Sequence, residues 1–245
     1  MRARGMTPAM NTNGFLLSAP MIDALGRAGL YAMQVSVDGV IPNATTMKSL
    51  KPLLPKLRLL SQRAAFRVRI NTVLGASPPD EALEVARAAV ELGFDAKCAL
   101  ARNADGTMMQ LDERTREVYD ELTRLEGRSL GVLHENFQDV LLRDGQVEWK
   151  CRAGARFFHV CENGLVHLCA PRYGAPATPL AEYSVDEIRR AFGSRKPCAS
   201  TCPIAYAHMA SRLDGWRSQS LELPPAARHP ALALTAGQVR LRVVA

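Results

Sequence analysis

The sequence predicts an α/β fold: a parallel sheet built from βα units, followed by a small cysteine-rich module made of a hairpin and helices. Three observations carry this expectation. Short β-prone runs alternate with amphipathic helical runs as far as residue 125, and alternation at that interval makes βαβ units and hence a parallel sheet. The alternation stops after about Gly127. Five of the six cysteines then fall within the 52 residues 151–202, and in a reducing compartment such a cluster marks a metal site more often than a disulfide framework.

Residues 8–13 read as a strand ending at Gly14, and 21–28 as a short helix closed by Gly29. Residues 31–38 (YAMQVSVD) form a strand stopped by Gly39. Residues 47–64 form a helix with Leu50, Leu53, Leu54, Leu57 and Leu60 at helical spacing. A strand over 67–73 and a helix over 79–92, closed by Gly93, make the next unit, and a strand over 94–100 with a helix over 112–125 the last. Beyond them, β-prone runs over 156–160 and 165–168 flank Asn163-Gly164, a strong hairpin signal because both residues tolerate positive φ. Residues 170–182 read as a loop. Ser184 and Glu187 form a capping box for a helix through Phe192. A last helix is expected over 202–213, and a proline-rich tail from Gly215 with a final strand over 238–244. The domain limits that follow are 1–126, 127–214 and a tail of 215–245.

Composition narrows the function. Of the 245 residues, 47% are hydrophobic and 22% charged, which is ordinary for a globular protein. No apolar run is long enough for a membrane span and none reads as a signal peptide, so a cytoplasmic setting is the default expectation. The net charge of +7 is spread over amphipathic segments, and only 6% of residues are aromatic. The charge therefore reads as solvated helix faces rather than a nucleic-acid surface.

With Cys161 set aside, the cysteine spacing is C-x17-C-x28-C-x3-C. Cys151 precedes the hairpin and Cys169 follows its return strand, so the hairpin can bring both thiolates to one point. Cys198 and Cys202 stand about one helical turn apart at a predicted helix start and project to the same side. Two such pairs can close a four-thiolate cage around zinc or an iron–sulfur cluster, and spacing alone leaves that choice open. Cys161, near the turn, and Cys98, in a predicted strand, are expected to be buried thiols without ligand duty. His159 and His167 lie on opposing hairpin strands and can meet as a cross-strand pair.

The run Cys151-x12-Gly164-x4-Cys169, followed by Cys198-x3-Cys202, resembles the single-cluster "twitch" form of the SPASM appendage on radical S-adenosylmethionine (SAM) enzymes. The N-terminal half agrees. Asn11-Thr12-Asn13-Gly14 resembles the third strand and turn of the radical SAM partial barrel, Val35-Ser36-Val37-Asp38-Gly39 the fourth strand, Arg69-Ile70-Asn71-Thr72-Val73 the fifth, and Glu91-Leu92-Gly93-Phe94-Asp95 the entry to the sixth. The resemblance implies an incomplete (β/α) partial barrel, strands three to six, with an auxiliary [4Fe–4S] cluster held by Cys151, Cys169, Cys198 and Cys202. It implies SAM contacts from Ser36, Asp38, Arg69 and Asn71. It also implies radical hydrogen abstraction from a peptide or small-molecule substrate, with electrons from a reductant protein.

One departure from the family is large. The C-x3-C-x2-C loop that holds the SAM-cleaving cluster occurs nowhere in this sequence, nor does the acidic, glycine-rich segment expected after strand two. The expectation is therefore that two βα units, each of about 30 residues, precede strand three. The alternative is a catalytically inactive iron–sulfur or zinc-binding protein that recognises a peptide.

Overall fold

A computed structural model describes residues 4–103, 108–125, 137–172 and 177–212. The chain divides into two compact units, Met1–Ser129 and Leu130–Ala245.

In the first unit four strands, β1 (Ala9–Thr12), β2 (Ala32–Ser36), β3 (Arg67–Leu74) and β4 (Asp95–Leu100), form one parallel sheet in the order β1-β2-β3-β4. Each strand pairs with the next in sequence. That sequential order is the winding of a βα wall, not of a doubly wound sheet, whose order reverses at a switch point. The crossovers carry α1 (Ala19–Arg27), α2 (Leu50–Arg63) and α3 (Pro79–Glu91), and α4 (Glu113–Leu125) follows β4.

The period-2 pattern of the strands decides which face is covered. Met33 and Val35 of β2, Val68, Ile70 and Leu74 of β3, and Ala96, Cys98 and Leu100 of β4 are buried. They meet the apolar stripes of the helices: Leu50, Leu53, Leu57 and Leu60 on α2, and Leu83, Val85, Ala86 and Ala89 on α3. Each fully buried leucine contributes about 2 kcal/mol of transfer free energy. The other face carries two polar rows. Asn11, Gln34, Arg69 and Asp95 stand in register across the four strands, with Ser36, Asn71 and Lys97 in a second row.

The predicted α/β class and the four strands of this unit are present, with shifted ends. The helix expected from residue 47 begins at Leu50, because residues 47–49 are drawn into extended backbone beside the β2 end: Gly39 and Ser49 form a bridge, and Asp38 N–H donates to Lys48 O. Asp112 stands before α4, its carboxylate accepting the Thr115 N–H at 2.8 Å.

The second unit holds α5 (Phe137–Asp144), the strands β5 (His159–Val160), β6 (Leu165–His167) and β7 (Thr178–Pro179), then α6 (Val185–Gly193) and α7 (Ala205–Arg212). β5 and β6 make the predicted hairpin, closed by Gly164 N–H to Cys161 O at 3.0 Å with Gly164 at φ 74°. His159 and His167 are directly paired in register.

Four expectations for this unit are corrected. The strand expected over 156–160 is only two residues long, because residues 153–157 close a tight loop in which Gly154 N–H donates to Phe157 O. The expected loop over 170–182 contains β7, which pairs with β6 at the sheet edge where a proline is tolerated. The last helix begins at Ala205, not at Cys202, and Cys198 and Cys202 sit on two successive turns, Ala199 N–H to Lys196 O and Cys202 N–H to Ala199 O. α5 was not foreseen, although Phe137, Val140 and Leu141 carry helical spacing. The capping box at Ser184 is half made. Ser184 Oγ accepts the Glu187 N–H at 3.4 Å, and the Glu187 carboxylate turns to Arg190. The expected tail from Gly215 and its strand over 238–244 lie outside the described residues.

Candidate metal centre

Cys151, Cys169, Cys198 and Cys202 line one cavity of about 100 Å³ in the second unit. They are up to 51 positions apart in sequence, so the fold must gather them, and three devices do so.

The first is a close approach at Gly154. Its N–H donates to Leu168 O at 3.1 Å, tying the segment after Cys151 to the one that leads into Cys169, and Tyr183 Oη donates to its carbonyl. Gly154 has φ 83°, and a Cβ there would stand 2.6 Å from Leu168 Cδ2 and 2.7 Å from Ala191 Cβ. Only glycine fits both the conformation and the space.

The second device clamps the Cys198–Cys202 turns. Trp149 Nε1 donates to Ala199 O at 2.6 Å, and His208 Nε2 lies 2.7 Å from Cys202 O. A carbonyl only accepts, so the proton is on Nε2, and buried Nδ1 has no partner among the described residues. His208 is stacked between Trp149, at 3.8 Å, and Phe137, at 4.2 Å, and burial pushes its pKa below the usual histidine range.

The third device is cationic. Lys196 is buried in the cavity lining, and its ammonium donates to Ala191 O, to Ser194 O at 3.1 Å and to Ser194 Oγ at 2.7 Å. Arg152 lies over the Phe192 ring at 3.7 Å and donates to Phe192 O at 2.6 Å. Burial pushes the Lys196 pKa down.

Burial also raises the Cys151 thiol above its ordinary range and pushes Cys202 up to about 11. Among the described residues no three His, Cys, Asp or Glu side chains are already drawn together closely enough to hold a single metal ion. Cys161 and Cys98 are buried elsewhere and do not line the cavity.

The residues expected to contact SAM lie in the first unit. Ser36, Arg69 and Asn71 share the polar sheet face, and Ser36 is paired in register with Asn71. Arg69 is 3.8 Å from Asp95. Asp38, just past the end of β2, is buried, ion-paired with Lys48 at 2.6 Å and hydrogen-bonded by Thr46 Oγ1 at 3.2 Å. It already has a local role in fixing the loop after β2. A larger open cavity of about 610 Å³ lies by residues just before β1, β2 and β3, lined by Met6, Tyr31, Phe66 and Arg67. Ligands of parallel βα sheets gather at the opposite, carboxyl ends, so this cavity is not the candidate site.

Gly154, Trp149, Lys196 and His208 were not foreseen as site residues. Trp149 and His208 reach partners 50 and 6 positions away, and no local spacing marks any of the four.

Neither a protein-family model nor a curated protein matches the sequence. Among solved structures, the crystal structure of SuiB from Streptococcus suis is similar to 78% of the chain, with a TM-score of 0.50 and 15% sequence identity. The match covers 50% of that chain, so this protein spans about half the length of SuiB. At this identity the likeness is one of fold.

Proposed function

We propose that this chain is a radical SAM-type protein whose second unit holds an auxiliary [4Fe–4S] cluster through Cys151, Cys169, Cys198 and Cys202. The observation that carries the proposal is the convergence of these four distant cysteines on one cavity. Four thiolates suit either zinc or an iron–sulfur cluster, and the cluster is favoured here by the resemblance of the cysteine spacing to the auxiliary domain of radical SAM enzymes.

The fold likeness to SuiB is in keeping with this reading. The sequential parallel sheet with a polar uncovered face agrees with it. On this reading Ser36, Arg69 and Asn71 offer SAM contacts from that face, and Asp38 holds the loop beside them. The substrate is a peptide or a small molecule. A bound cluster would be held by Cys151, Cys169, Cys198 and Cys202 and would supply one-electron chemistry there.

The test is anaerobic reconstitution of the full chain with iron and sulfide. The expected product is brown, with about four iron and four sulfide per chain. Alanine at any of the four cysteines abolishes the colour, whereas Cys98→Ala and Cys161→Ala spare it. A colourless protein carrying one zinc per chain refutes the cluster and favours the zinc-binding alternative. Loss of colour in Cys161→Ala refutes the set of four.

A further inference from the structure

We propose that Lys196 is a positioning residue of this metal centre whose fixed charge raises the reduction potential of the iron–sulfur group held by the four cysteines. The inference rests on the reading above and deepens it.

Lys196 is only 7% exposed. Its three donors are all used, on Ala191 O, Ser194 O and Ser194 Oγ, so the ammonium is held in one place. All of these acceptors are neutral. Among the described residues no carboxylate pairs with it. Cys151, Cys169, Cys198 and Cys202 line the same cavity as Lys196, and Cys198 follows it by two positions.

Capping the last carbonyls of α6 accounts for the hydrogen bonds. It does not account for a full charge in the wall of the cysteine cavity, since a neutral amide could cap the helix. Burying an ion without an opposite charge costs several kcal/mol. Thiolates bound to iron provide that opposite charge.

The electrostatics have a direction. Four thiolates around a [4Fe–4S] core carry a net charge of about −2 when the core is oxidised and −3 after it accepts one electron. A nearby fixed cation stabilises the more negative state more, which favours reduction. In the assay the electron comes from dithionite, one ferric site is reduced, and no bond to the protein forms or breaks.

The experiment uses the full chain, reconstituted anaerobically and titrated with dithionite in the presence of mediators, following the loss of visible absorption. Wild type is compared with K196M, K196Q and K196R. The expected result is that K196M and K196Q hold iron and sulfide at wild-type stoichiometry, with a reduction equilibrium constant about tenfold lower, a shift of about 59 mV for one electron. K196R stays within about twofold of wild type. If the neutral variants lose the cluster while K196R keeps it at the wild-type potential, the requirement for charge is also supported.

An unchanged potential in cluster-loaded K196M or K196Q overturns this inference and leaves the metal centre standing. Loss of the cluster in K196R as complete as in K196M assigns the residue a role of shape alone and also overturns it. A wild-type chain that takes up no iron–sulfur group overturns both this inference and the reading beneath it.

Discussion

Replacing Gly154 by alanine puts a methyl group where the segment after Cys151 crosses the segment entering Cys169. Two costs add. A residue with a Cβ at φ 83° incurs about 1–2 kcal/mol of backbone strain. The new methyl also stands 2.6 Å from Leu168 Cδ2 and 2.7 Å from Ala191 Cβ. Ala191 is buried in α6 and has no rotamer with which to give way, so overpacking adds about 1–3 kcal/mol. The expected destabilisation of the second unit is about 2–5 kcal/mol. The relief available is to part Gly154 N–H from Leu168 O, which moves Cys151 away from Cys169 and opens the cage. Gly164→Ala is the matched control. It also has positive φ, at 74°, but an added Cβ meets nothing within 4 Å, so its cost is the strain alone. Denaturant unfolding followed by Trp fluorescence and iron analysis after reconstitution read both effects. Gly154→Ala should lose most of its iron with all four cysteines intact, whereas Gly164→Ala should retain it. Equal iron content and stability in the two variants would refute the argument that this crossing assembles the site.

Three further outcomes follow from the same geometry. His208→Phe keeps an aromatic ring between Phe137 and Trp149 but leaves Cys202 O without its donor, so it should cost about 1–3 kcal/mol and lower cluster occupancy; wild-type occupancy and stability would show that the clamp is dispensable. The metal-free protein should be most stable between about pH 6.5 and 9. Burial lowers the folded pKa of His208 from 6.5, so its contribution is present above that pH and lost as pH falls. Burial raises Cys202 from 9.0 to about 11, so its contribution is lost as pH rises through that interval; urea midpoints measured from pH 5 to 11 check both limbs, and a flat profile contradicts them. Finally, the 245-residue chain incubated with SAM and dithionite should form no 5′-deoxyadenosine above background, because no C-x3-C-x2-C loop is present; chromatographic detection of that product would defeat the expectation.

The sequence by itself determined the α/β class, the four strands of the parallel sheet, the hairpin at Asn163-Gly164 and the buried thiols at Cys98 and Cys161. These features depend on local periodicity and on residues with special backbone freedom, and both are written in consecutive positions. It also marked Cys151, Cys169, Cys198 and Cys202 as a set, because their clustering is compositional. How those four come to line one cavity was decided only by the tertiary structure. A helical turn was expected to align Cys198 with Cys202, yet two successive turns do so, held by Trp149 and His208. The hairpin alone was expected to join Cys151 to Cys169, yet the join depends on Gly154 packed against Leu168 and Ala191. β7 was hidden because a two-residue edge strand containing proline has no periodicity to display. Lys196 was hidden for a different reason: a lysine in a sequence carries the expectation of solvent, and only packing against the end of α6 removes it from water and sets it in the lining of the cysteine cavity. Burial and long-range approach are properties of the packed chain, and no window of neighbouring residues contains them.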